Sequence, residues 1–215
     1  KIKFSNFRNS KIFRINNKYY DELKVQNENN LNENFIVLVD SGYDHPDRFK
    51  IEKIDDEHKH DSEKKNYYEN LFKFMKLLEK VYQNRIIFCQ HPKTNYALDN
   101  HFKKIEENFK IIKGQTDEFI KKGGLVVFTG PSSMVNKAII LKKKILYSIS
   151  NGLGRHDNDK VLFFVEKMKF PIINLDNFTS LDKTLIDLQI KESMKLYDPF
   201  IMDNLISQKN VFSYD

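Results

Sequence analysis

The sequence predicts an α/β domain with a mostly parallel sheet flanked by helices, and three observations predict it. Short runs of Ile, Val, Leu and Phe recur from about residue 35, amphipathic stretches of helical length separate them, and small or polar residues follow most runs. Alternating strand and helix signals are the pattern of βαβ units, whose strands read as continuous apolar runs because helices cover both faces of the sheet.

The elements follow in order. Residues 1–34 are polar, rich in Asn and Lys, with only a short β-like piece at 11–15, and read as a linker or the tail of a preceding lobe. Strands are predicted over 35–40, 85–90, 109–113, 125–129 and 145–149, with a weaker one over 172–175. The helix predicted over 66–83 carries Tyr67, Leu71, Phe74, Leu78 and Val81 on one face, and further helices are predicted over 98–108, 117–122, 132–143, 158–168 and 181–194. The insert 50–65 is almost wholly charged and reads as a solvated loop. Gly152-Leu153-Gly154-Arg155-His156 also reads as a loop, since it lacks the third glycine and the acidic partner of a dinucleotide fingerprint. The sheet domain is therefore drawn over 35–196, with a tail over 197–215 that holds one last short helix.

Composition removes several classes. Across 215 residues, 40% are apolar and 13% aromatic, with 18 Phe and 10 Tyr, which is enough to bury a core and excludes a wholly disordered chain. Cys89 is the only cysteine, so no intramolecular disulfide forms, and a reducing, cytoplasmic setting is expected. No apolar run approaches the ~20 residues of a spanning helix. The chain starts at Lys1, and residues 1–20 lack the apolar core of a signal peptide, which predicts a piece of a longer protein. Net charge is +6 with a pI of about 9.1. Only five of the 36 basic residues are Arg (Arg8, Arg14, Arg48, Arg85, Arg155), and the lysines are scattered among 30 acids. Nucleic acid is therefore not an expected partner, because groove and phosphate readers rely on Arg, whereas a peripheral contact with the inner face of a membrane is compatible with this charge.

In an open parallel sheet, ligands bind beyond the carboxyl ends of the strands. The residues there are Asp40-Ser41-Gly42-Tyr43-Asp44-His45-Pro46-Asp47, Gln90-His91-Pro92-Lys93-Thr94, Gly114-Gln115-Thr116 and Thr129-Gly130-Pro131-Ser132-Ser133. In the last of these, Gly130 and Pro131 make a turn, and Ser132 and Ser133 open a helix whose first N–H groups and hydroxyls suit a phosphate; the alternative is that Ser132 simply caps the helix. Pro92 ends the second strand and holds His91 extended, where an imidazole can donate to a phosphate or protonate a leaving group. Lys93 adds a point charge. Asp40 stands where a carboxylate would face a ligand cleft, and His45 lies in a cluster of titratable groups; turn geometry explains both equally well. Walker A, GxSxG, HExxH and CxxC signatures are absent from the sequence. The run containing Asp55, Asp56, Glu57, His58, His60 and Asp61 has metal-ligating residue types but no preset geometry, so no metal is expected.

An HP dipeptide closing one strand, followed two βα units later by a turn with paired serines, resembles the nucleotide-sugar lobe of bacterial GT-B glycosyltransferases, which is Rossmann-like. The motif order is similar to that of the sialyltransferase and Kdo-transferase groups, and the run FIVLVDSGYDHPDRF resembles a segment of polysaccharide-biosynthesis proteins of the same broad class. The resemblance covers about residues 35–190. It implies that His91 contacts the donor phosphate or assists its departure, that Ser132 and Ser133 bind the phosphate, and that Gly114 and Gln115 line a nucleobase pocket through their backbone; Thr129 and Gly130 of the serine turn, with Lys93, Asp40 and His45, are further candidate substrate-binding residues. The chain departs from the family after the serines, where Met134-Val135-Asn136-Lys137 lacks the usual glutamate. The implied activity is metal-independent transfer of a sugar from a cytidine-activated donor to a surface-polysaccharide acceptor, with the general base on an amino-terminal lobe outside this chain. The fragment itself is then expected to bind nucleotide without turnover. Teichoic-acid polymerases using CDP-glycerol share the HP and SS arrangement, so a glycerophosphotransferase is one alternative, and a non-catalytic anion-binding regulatory domain is another.

Overall fold

A computed structural model describes residues 19, 33–43, 57–96 and 100–205, with backbone alone at 33, 57–61, 155 and 156. Within them lie β1 (Glu33–Val39), α1 (Glu57–Tyr82), β2 (Arg85–Gln90), α2 (Lys103–Asn108), β3 (Lys110–Lys113), α3 (Thr116–Lys122), β4 (Gly123–Phe128), α4 (Met134–Ile140), β5 (Lys144–Ile149), α5 (Arg155–Met168), β6 (Ile172–Asn174), α6 (Lys183–Met194) and α7 (Tyr197–Asn204). The strands form one parallel sheet in the order β3-β2-β1-β4-β5-β6, a Rossmann-like arrangement with its switch point between β1 and β4.

The apolar strand runs follow from coverage on both faces. Val37, Val39, Ile87, Cys89, Val126, Phe128, Ile145 and Tyr147 face one core, closed by Ile120, Ala138, Ile139, Val161 and Met168 of α3, α4 and α5 and by Tyr197, Phe200 and Ile201 of α7. The alternating residues Ile36, Leu38, Ile86, Phe88, Leu125, Val127 and Leu146 face the other, closed by Tyr67, Leu71, Phe74 and Leu78 of α1, Ile105 of α2 and Ile186 and Ile190 of α6. Successive side chains of a strand point to opposite faces, so each central strand must be apolar throughout.

Five expectations change. The helix expected over 98–108 is only α2, Lys103–Asn108, since residues 100–102 form a turn ahead of it. The charged insert is not wholly a loop, because α1 begins at Glu57; residues 57–65 contain neither Gly nor Pro, and a helix end without an apolar stripe has no periodicity to betray it. The helix expected over 132–143 is only α4, Met134–Ile140, because Lys142 turns left-handed at φ 54°. The stretch 152–156 is a 3-10 turn at Asn151–Leu153 followed directly by the start of α5. Residues 197–205 belong to the folded unit: Tyr197, Phe200, Ile201 and Leu205 are buried in the first core, and the Tyr197 hydroxyl donates to the Lys143 carbonyl at 3.0 Å. The β-like piece at 11–15 lies outside the described residues.

Candidate functional site

The site begins at the switch point, where the ends of β1 and β4 are tied together. Thr129 N–H donates to the Val39 carbonyl at 3.2 Å, and Ser41 N–H donates to Thr129 Oγ1 at 3.0 Å. Gly130 lies so close that a Cβ there would stand 2.5 Å from Ser41 Cβ, so this crossing requires glycine. Asp40, 4% exposed, is the hub beside it. Its Oδ1 accepts from Gly42 N–H at 3.0 Å, and its Oδ2 accepts from His91 N–H at 2.9 Å and from the Tyr96 hydroxyl at 2.8 Å. Gly42 has φ 77°, and a Cβ at that position would stand 3.0 Å from Cγ of the His91 ring.

The HP turn is braced in the same manner. Thr94 Oγ1 donates to the His91 carbonyl at 2.8 Å, while Gln90 Nε2 and Lys113 Nζ donate to the Thr94 carbonyl at 2.9 and 2.8 Å. His91 Nδ1 accepts from Lys93 N–H at 3.3 Å, so the neutral imidazole carries its proton on Nε2. On the opposite side, Ser132 Oγ accepts from Met134 N–H at 3.3 Å, and the hydroxyl of Ser133 makes no capping bond to α4.

These parts enclose a cavity of about 330 Å³ lined by Asp40, Cys89, Gln90, His91, Pro92, Gly114, Thr116, Asp117, Ser132, Ser133 and Met134, among others. A second hollow, of about 410 Å³, lies across the same serine turn, between Ser132, Ser133, Tyr147, Lys160 and Phe164. The structure thus brings Asp40, His91, Gly114, Ser132 and Ser133 to one cavity. It leaves four other candidates off the lining. Thr129 is fully buried as a clamp, Gly130 is packed on Ser41, Lys93 is exposed beside the HP turn, and Gln115 is exposed ahead of α3. Polar strand-end residues are needed for the turns themselves, which is why these four look alike in sequence. His45 and the residues 55 and 56 of the metal-type run lie outside the described residues. Among the described residues, no group of three or more His, Cys, Asp and Glu is arranged to hold a metal ion.

Sequence reasoning missed two wall residues and their support. Asp117 is one residue past the strand-end segment that ended at Thr116, and its carboxylate is paired with Lys137 of α4. Lys137 is 1% exposed while Asp117 is 42% exposed, so a buried cation pins a carboxylate that faces the cavity. The Lys137 ammonium also lies 5.2 Å from the centre of the Tyr19 ring, whose hydroxyl donates to Met134 Sδ at 3.4 Å. The signal was a lysine inside the apolar helix Met134–Ile140. Cys89 also lines the cavity; burial pushes its thiol up to about 12, against a hydrogen bond with Thr116 that lowers it.

Comparisons with protein families, curated proteins and solved structures return no match. Among the described residues, no helix is long and apolar enough to cross a membrane.

Proposed function

We propose that this domain is the donor-binding lobe of a glycosyltransferase that takes a sugar from a cytidine-activated donor. The observation carrying the reading is the convergence of His91, Ser132 and Ser133, from two separate βα turns, on one cavity at the carboxyl edge of the sheet. An imidazole N–H and two hydroxyls suit a phosphate, which accepts several charge-assisted hydrogen bonds at once. Asp117, on the cavity wall, supplies an acceptor for ligand hydroxyls such as a ribose diol. The second hollow gives room across the serines for the group attached to the phosphate.

In the transfer step, the bond between the anomeric carbon and the phosphate oxygen breaks and its electron pair stays on that oxygen. The His91 Nε2 proton and the serine hydroxyls stabilise the charge that develops there. The attacking hydroxyl and the base that takes its proton are assigned to the acceptor and to a second lobe.

Calorimetric titration of the chain with CMP, CDP, UMP and inorganic phosphate tests the reading, repeated on His91→Ala and on Ser132→Ala/Ser133→Ala. Cytidine-selective binding, weakened in both variants, is expected. Phosphate binding as tightly as CMP would favour an anion-binding regulatory domain, and CDP binding much more tightly than CMP would favour the glycerophosphotransferase alternative. No binding of any nucleotide would remove the proposal.

A further inference from the structure

We propose that Asp40 and Tyr96 are positioning residues for His91, set in a relay that runs Tyr68, Tyr96, Asp40, His91, and that they do not themselves bind the ligand. The inference rests on the nucleotide reading and goes beyond it by separating the group that meets the phosphate from the groups that hold it in place.

The geometry assigns the roles. Both carboxylate oxygens of Asp40 are engaged inside the protein, one by Gly42 N–H and the other by His91 N–H and the Tyr96 hydroxyl. A carboxylate receiving three donors at 4% exposure is a structural acceptor, and its negative charge beside the cavity would repel a phosphate that it met directly. Two of these bonds, joined by one from Lys93 N–H, fix what surrounds the imidazole. Asp40 holds the His91 backbone nitrogen, Lys93 N–H holds Nδ1, and Gly42, held in turn by Asp40, packs against the ring.

Tyr96 secures the carboxylate from beneath. Its ring stacks on Phe102 at 4.1 Å between centroids and meets Tyr68 edge-on at 5.8 Å, and the Tyr68 hydroxyl is hydrogen-bonded to it. The Tyr96 hydroxyl is therefore buried and committed as a donor. Tyr68 belongs to α1, so the long helix on one face of the sheet is linked by three side chains to the HP turn at its edge.

A double-mutant cycle read with two ligands tests this. Tyr96→Phe keeps the ring and removes only the hydroxyl. It is expected to weaken CMP by about tenfold, the scale of one hydrogen bond to a charged group, while cytidine, which lacks the phosphate, changes by less than about twofold. In a His91→Ala background the same substitution is expected to change CMP binding by less than about twofold, because the group it positions is gone. Tyr68→Phe should act in the same direction with a smaller loss, and it decides the matter if Tyr96→Phe fails to fold. Equal losses with and without His91, equal losses for CMP and cytidine, or no loss would overturn the positioning role while leaving nucleotide binding intact. Absence of CMP binding to the unmodified chain would instead overturn the nucleotide reading, and this inference with it.

Discussion

The two ends of the sheet carry hollows of almost the same size and opposite character. At the carboxyl end, about 330 Å³ is bounded by His91, Gly114, Asp117 and the two serines; at the amino end, about 320 Å³ is bounded by Asn34, Asn84, Tyr82 and the consecutive Lys142, Lys143 and Lys144. The amino end has more charge, yet its charge belongs to the fold. Lys142 to Lys144 come just after Leu141, the C-cap of α4, where cations complement the carbonyl end of a helix, and Lys142 pairs with Asp198 of α7. The carboxyl end is built from turns, and there the braced backbone of the HP loop presents an imidazole to a cavity. Volume does not separate these two places; how their polar groups are committed does.

The comparison can be broken by changing each end in turn. The largest effect is expected at Asp117. Replacing it by alanine leaves the buried Lys137 without its carboxylate and should cost about 3 kcal/mol of stability in chemical denaturation, whereas Lys137→Met should cost much less because both the charge and its desolvation are removed. Next, His91→Ala should weaken CMP by about thirtyfold, roughly 2 kcal/mol for a hydrogen bond to a charged group, without altering the thermal midpoint appreciably.

Gly42→Ala sharpens the account of how the ring is held. Its φ of 77° and the 3.0 Å approach to the imidazole make any Cβ costly, by about 1–2 kcal/mol, and CMP affinity should fall with stability because the ring must move. Alkaline pH acts on the core in general. The Cys89 thiol is pushed up to about 12, and burial also raises Tyr96, Tyr147 and Tyr197. These groups ionise first in the unfolded chain, so their contribution is complete at neutral pH and is lost as pH rises from about 9 toward the folded values, at about 1.4 kcal/mol per pH unit for each group. Thermal unfolding from pH 7 to 11 should show this decline, and it should be shallower in Cys89→Ala. The smallest effect belongs to the amino end, where Lys144→Ala should change CMP binding by less than about twofold in the same titration.

Much of the fold was legible because coverage of both sheet faces leaves a direct trace. Runs such as Phe35 to Val39 cannot be half-exposed, and the structure pairs that run with β2 on one side and β4 on the other. Strand order was not legible, since the pairing of β1 with β4 joins residues about ninety positions apart and no local pattern encodes it. The first turns of α1 were hidden because a stretch almost wholly charged or polar shows neither periodicity nor breakers. At α7, Tyr197, Phe200 and Ile201 give too short an apolar stripe to distinguish a packed helix from a tail.

At the site, the strand-end rule pointed to His91, Ser132 and Ser133, which the structure places on one cavity, but it could not show which strand-end residues brace the turns. Asp40 and Thr129 occupy the same kind of position as His91. Only the bonds from Gly42, Tyr96 and Ser41 show that these two are turned to internal work. Asp117 escaped because its placement on the cavity wall depends on Lys137, a partner brought close by packing of α3 against α4.

The most direct test of the central claim is a residue-resolved NMR titration of the chain with CMP, comparing the two ends of the sheet in a single experiment. Saturable shifts are expected at His91, Gly114, Asp117 and Ser132 to Met134, with Lys142 to Lys144 unchanged. Shifts confined to Lys142–Lys144, or none at the HP and serine turns when CMP is saturating, would contradict it.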